Sequence, residues 1–129
     1  MKIHRDYALH FPPLLMQRQH LSEVLVNLLQ NAREATSAQG NVRVSAVCHG
    51  DYSIEVTIGD DGPGISSDER EQVFEAYYTS KKKGTGLGLA IVKNNVELYG
   101  GSVHTESELG KGARFIVVFP EKSLMKSAN

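Results

Sequence analysis

The chain has 129 residues, 40% hydrophobic and 22% charged, with a formal net charge of −1. That is enough for one globular domain with its own core, and it offers no electrostatic case for nucleic acid or an anionic membrane as partner. The only cysteine, Cys48, excludes a disulfide framework within these residues and fits a reducing compartment; flanked by Val44, Ala46 and Val47, it reads as a small apolar strand residue. No apolar run approaches the roughly 18 residues of a membrane span and no signal-peptide core opens the sequence. A cytosolic setting is expected, alone or as the cytoplasmic part of a larger membrane-anchored chain.

In chain order, Lys2–Tyr7 fits an edge strand, and Phe11-Pro12-Pro13 breaks regular structure. Over residues 19–37, Leu21, Val24, Leu25, Leu28, Leu29, Ala32 and Ala35 recur at helical spacing, with Gly40 as a fitting terminator. Asn27 and Asn31 stack on one face beside that stripe. Asparagine is a poor helix-interior residue, so the pair is either polar decoration or functional. Residues 41–49 and 52–59 form a hairpin signal around Gly50-Asp51, and Ile54, Val56 and Ile58 alternate with polar residues as on a half-buried strand.

That strand runs into Asp60-Asp61-Gly62-Pro63-Gly64-Ile65. A turn explains the string without a ligand, yet a carboxylate at a strand end can also accept from a buried polar group such as the exocyclic amine of adenine. Ser66-x-x-Glu69 has the form of a capping box and predicts a short helix over residues 67–74. Lys81-Lys82-Lys83 is a solvated face or a phosphate contact. It precedes Gly84-Thr85-Gly86-Leu87-Gly88-Leu89, where three glycines open a helix through Ala90, Ile91, Val92, Val96 and Leu98 that closes at Gly100-Gly101. Glycines at a helix start form a plain tight turn, or let an anion reach the unpaired N–H groups there. Ser102–Ser107 and Ala113–Phe119 read as strands joined at Gly110-Lys111-Gly112, Pro120 ends the sheet, and residues 121–129 form a loose tail. The order predicts an α+β, two-layer sandwich: a mixed, mostly antiparallel sheet of about five strands covered on one face by about three helices. No linker divides the chain, so residues 1–129 read as one domain with a core over about 20–120.

Three nucleotide motifs are missing: no P-loop Gly-Lys-Ser/Thr string, no G-x-G-x-x-G, and no H-R-D with D-F-G. His4, His10, His20, His49 and His104 follow no metal-ligand spacing. What the chain does carry is Asn27-Leu-Leu-Gln-Asn31-Ala, then Asp60-Asp-Gly62-Pro-Gly64, then Phe74 with Thr79-Ser-Lys81, then Gly84-Thr-Gly86-Leu-Gly88-Leu, then Gly110-Lys-Gly112. In order and spacing, over about residues 20–120, these boxes resemble the catalytic ATP-binding domain of sensor histidine kinases, in the wider group that includes gyrase, Hsp90 and MutL.

The resemblance implies ATP and Mg²⁺ held between the asparagine-bearing helix and a lid over residues 74–84 that orders on nucleotide. It implies that Asn31 ligates the metal through its amide oxygen with help from Asn27, and that neutral oxygens suit a cation also held by phosphate and water. Asp60 would accept from the adenine amine, Gly62 and Gly64 would admit the base, Ile65 would pack on it, and Ala35 would line the pocket. Lys81 would meet phosphate, and Gly84, Thr85, Gly86, Leu87, Gly88 and Leu89 would wrap the phosphates.

The resemblance also sorts the chemistry. In the gyrase branch a glutamate four residues before the metal-binding asparagine activates water; here that position is Asn27, and an amide cannot take the proton. The implied reaction is transfer of the γ-phosphate to a histidine of a separate dimerisation domain, with a response regulator downstream in two-component signalling. That acceptor domain is absent from these residues, and His10 has neither the acidic neighbour nor the helical setting of an acceptor. The chain is therefore expected to bind ATP without phosphorylating itself. Two positions depart from the family: Ala113 replaces a threonine whose hydroxyl supports the adenine pocket, and Glu34 stands where many relatives carry a basic residue, with Arg33 beside it. A nucleotide-gated binding module without transfer is the alternative reading; no nucleic-acid partner and no direct membrane contact are expected.

Overall fold

A computed structural model describes residues 2–7, 16–36, 39–51, 53–75 and 87–120. Five strands form one sheet: β1 (Lys2–Tyr7), β2 (Asn41–Cys48), β3 (Ile54–Asp60), β4 (Ser102–Ser107) and β5 (Ala113–Phe119), in the order β1-β2-β3-β5-β4. The helix α1 (Arg18–Ala35) lies between β1 and β2 in sequence. A helical crossover returns the chain in its original direction, so β1 and β2 pair in parallel while the other three pairs are antiparallel. The β2–β3 hairpin is closed by Asp51, whose Oδ1 accepts from the Ser53 hydroxyl at 2.6 Å and the Ser53 N–H at 3.0 Å.

The expected alternation of β3 holds, with Ile54 and Ile58 buried towards the helices. One layer of helices covers that face. Val24, Leu28 and Ala32 of α1, at i, i+4 and i+8, meet Val92 and Val96 of α2 (Gly88–Leu98) and the buried Val42, Ile58, Phe115, Val117 and Phe119 of the sheet. The glycines predicted to close α2 do so as a Schellman motif. Gly100, at φ 79°, donates to the Glu97 carbonyl at 3.0 Å, and Gly101 donates to the Val96 carbonyl at 3.0 Å.

Two expectations are corrected. The short helix predicted over residues 67–74 is a run of turns ending in a single 3₁₀ turn, Gln72–Phe74. Ser66 closes the first turn with its carbonyl, which accepts from the Glu69 N–H at 3.1 Å, and not as a side-chain cap. Among the described residues the helical layer is thus two α-helices and a 3₁₀ turn, whose Phe74 meets Phe115 of β5 edge-on, ring centroids 5.9 Å apart. The other correction is at the end of α1, which stops at Ala35 well before Gly40, with Thr36 already extended. The Thr36 N–H closes the last turn on the Ala32 carbonyl at 3.1 Å, and the Ala35 carbonyl packs so closely on Gly62 that a Cβ there would collide with it. The tail over residues 121–129 and the Phe11-Pro12-Pro13 break lie outside the described residues.

Candidate functional site

Asn27, Asn31 and Ala35 occupy i, i+4 and i+8 of α1 and therefore share one face, all half-buried. The Asn27 Nδ2 donates back to the Glu23 carbonyl at 2.7 Å. That bond fixes the amide, and its Oδ1 then lies 3.1 Å from where a Cβ would stand on Gly88. A larger residue at the start of α2 would crowd this oxygen. The first-turn N–H groups of α2 have no acceptor within the helix, the N-cap residue Leu87 makes no side-chain capping bond, and no acidic residue lies in the turn. Positive helix-end potential and the outward carboxamide of Asn27 thus face one another.

At the other end of the same α1 face, β3 terminates at Asp60. Its Oδ1 accepts from the Gly62 N–H at 2.9 Å, an Asx turn that folds the loop back towards Ala35. The adjacent acid is engaged elsewhere. Asp61 Oδ2 accepts from the Asn41 N–H at 2.9 Å and the Asn41 amide at 3.0 Å, which holds its carboxyl below the ordinary range. Asp60 is half-buried and Asp61 is exposed. Of the two acids, the structure separates a loop-forming group at the site from one tied to the start of β2.

The loop after Asp60 is held from the β4–β5 side. Asp60 pairs with Ala113, and Ala113 with Ser107, across three strands. The Ser107 hydroxyl accepts from the Ile65 N–H at 2.6 Å and donates to the Gly112 carbonyl at 2.8 Å, while the Gly110 N–H donates to the Pro63 carbonyl at 2.8 Å. Gly64, at φ 82°, packs on the Glu108 carbonyl. A cavity of about 370 Å³ opens here, with Asp60, Arg70, Ser107, Gly112 and Ala113 among its walls.

The site residues anticipated from sequence thus fall into two groups joined by α1. Asn27 meets Gly88 at one end, next to Leu87 and Leu89; Ala35, Asp60, Gly62, Gly64 and Ile65 gather at the other; Asn31 lies between. Leu89 and Ile65 also pack against the core. Lys81, Gly84, Thr85 and Gly86, with the rest of the expected lid, and His10 lie outside the described residues. Glu34 is exposed and accepts from the Gln30 amide at 3.3 Å. Ser107 escaped sequence reading because it ends a strand in an unremarkable way; only the register that sets it beside Ala113 exposes its role.

A family profile described as histidine kinase-, DNA gyrase B- and HSP90-like ATPase matches residues 16–123. The chain belongs to this ATPase family. Among its relatives, this ATPase-family chain is 43% identical over 100 residues to the sensor histidine kinase ZraS of Salmonella typhimurium, covering 78% of the chain and 22% of the relative. It is 45% identical over 94 residues to the C4-dicarboxylate transport sensor protein DctB of Rhizobium meliloti, covering 72% and 15%. The chain therefore spans about a fifth or less of these curated relatives. Its fold resembles full-length ShkA solved in complex with AMPPNP, at a TM-score of 0.83 and 32% identity over 98% of this chain and 26% of that one. It resembles the mycobacterial sensor histidine kinase MprB at a TM-score of 0.80 and 31% identity, covering 92% and 81%. The two-layer α+β architecture is that of histidine-kinase catalytic domains. Among the described residues no helix is long and apolar enough to cross a membrane.

Proposed function

We propose that the chain is one catalytic domain that binds Mg-ATP and donates the γ-phosphate to a histidine on a separate dimerisation domain, as the cytoplasmic catalytic part of a two-component sensor with a response regulator downstream. The observation that carries this reading is the α1 face: Asn27 at the start of α2 and Ala35 at the Asp60 loop stand about 12 Å apart along the helix, a span that suits an extended nucleotide. Phosphates would lie at the α2 N-terminus, where N–H groups and the helix dipole favour anions. Adenine would lie at Asp60, whose carboxylate accepts from an exocyclic amine and repels the carbonyl that guanine presents at that position. AMPPNP in the complex with full-length ShkA lends support from a relative in structure.

The donor set fits Mg²⁺. The Asn27 Oδ1 turns away from its own helix, and Asn31 lies one turn on; neutral carboxamide oxygens suit a hard cation that keeps phosphate and water ligands. When bound, the cation neutralises charge on the transferring phosphoryl group. The residues do the rest by placement. Asn27 and Asn31 orient the triphosphate end, and Asp60 and Gly62 hold the base. Neither asparagine accepts a proton, so water is not activated from this helix and the γ-phosphate is retained for an imidazole. In the transfer an N–P bond forms at the histidine, the bond from Pγ to the β,γ-bridging oxygen breaks, ADP leaves, and the imidazole proton passes to solvent.

The test mixes this chain with histidine-containing helical domains of candidate sensors and γ-labelled Mg-ATP. Acid-labile label on a helical partner and none on this chain is the expected result. Confirmed ATP binding with no transfer to any partner would favour a nucleotide-gated binding module instead.

A further inference from the structure

We propose that Asn95 and Glu23 form a latch that sets the register of α2 against α1, and that Asn95 is thereby a positioning residue for the phosphate end of the site. Asn95 lies inside α2 and is only 6% exposed, in a row of apolar neighbours. Its Nδ2 crosses to α1, donating to Glu23 Oε2 at 2.9 Å and to the His20 carbonyl at 3.4 Å. The Asn95 amide is also the main reason the Glu23 carboxyl is held below its ordinary range, followed by the Gln19 amide on the other oxygen. One turn further along α2, the Tyr99 hydroxyl meets His20 Nδ1 at 2.6 Å and accepts from the Gln17 N–H at 3.0 Å.

These contacts run antiparallel along the two helices: Tyr99 on His20, Asn95 on Glu23, Gly88 on Asn27. Glu23 belongs to both halves of the arrangement. Its carboxylate holds Asn95, and its backbone carbonyl holds the amide of Asn27, whose oxygen faces Gly88. A leucine would suit a buried helix position better than asparagine on propensity and on desolvation. Helix propensity and burial therefore do not account for Asn95. The Val24, Leu28, Val92 and Val96 contacts are non-directional and tolerate sliding, whereas a hydrogen bond has one register. Gly88 is seven residues, about 10.5 Å, from Asn95 on the same rigid helix. A shift at Asn95 is thus transmitted to the N–H groups that face Asn27.

The proposal rests on the nucleotide reading of the site, so its test has one readout that needs no nucleotide. Asn95→Leu and Glu23→Gln are compared with the unaltered chain by thermal unfolding, by amide NMR without nucleotide, and by Mg-ATP calorimetry. Glu23→Gln keeps an oxygen that accepts from Asn95. The expected result is that Asn95→Leu unfolds at the same or a higher temperature, shifts the Gly88 backbone and Asn27 side-chain amide resonances, and weakens Mg-ATP by at least about tenfold. Glu23→Gln should leave those resonances and the affinity near the starting values. Unshifted Gly88 and Asn27 resonances in Asn95→Leu would overturn the latch, as would failure of that variant to fold, which would make Asn95 a stability residue. Shifted resonances with unchanged Mg-ATP affinity would overturn the positioning role alone. If the unaltered chain binds no Mg-ATP, the nucleotide reading fails and the resonances still decide the register.

Discussion

Gly112 is packed so tightly on the Asp60 backbone that a Cβ on it would overlap the Asp60 carbonyl oxygen. Its φ of 87° independently disfavours any side chain. Gly110 has nearly the same φ, 83°, but nothing within 4 Å of its Cβ position. The pair separates conformational strain from collision. Gly110→Ala is expected to cost roughly 1–2 kcal/mol, the penalty of left-handed backbone alone. Gly112→Ala is expected to cost about 3–5 kcal/mol, because β3 and the turn must also part. Urea denaturation of both variants measures this, and equal losses would remove the collision argument.

Asp60→Asn keeps an oxygen able to accept from the Gly62 N–H, so the loop bond at 2.9 Å can persist. What changes is the second acceptor, which becomes a donor. The fold is expected to survive while ATP affinity drops by roughly 1.5–3 kcal/mol, the range for hydrogen bonds to charged groups. Titration calorimetry reads this, and an unchanged dissociation constant would take Asp60 out of the adenine role.

Acid stability follows from three carboxylates whose hydrogen bonds lower their folded-state pKa values: Asp61 through Asn41, Asp51 through Ser53, and Glu23 through Asn95 and Gln19. A lowered carboxylate contributes stability that is present above its ordinary value, 3.8 for Asp and 4.5 for Glu, and is lost as pH falls through the depressed one. These groups therefore add no slope above about pH 5 and a decline below about pH 4. Asp61→Asn retains an acceptor for Asn41 but no longer titrates, so its urea midpoint should fall less steeply as pH drops below about 4. A slope identical to that of the unaltered chain would show that Asp61 has no part in the decline.

Much of this molecule is determined by sequence alone, where the controlling physics is local or periodic. The helical spacing of Val24, Leu28 and Ala32 places α1, the alternation of Ile54, Val56 and Ile58 places β3, and Gly100-Gly101 ends α2, because these patterns depend on 3.6- and 2-residue repeats and on backbone freedom. For the candidate site, spacing placed Asn27 and Asn31 on one face and Asp60 at a strand end, while their expected roles came from the resemblance of the ordered boxes to the sensor histidine kinase ATP-binding domain. Only the tertiary structure decided the rest. The end of α1 packs on Gly62, 27 residues away in sequence. The role of Ser107 follows from its register beside Ala113, and the Asn95–Glu23 bond joins residues 72 apart. Residues 67–74 became turns and a single 3₁₀ turn although their local signal favoured a helix. Such features turn on which groups meet across the fold, where hydrogen bonds and van der Waals contact act over a few ångströms and leave no periodic trace in the sequence.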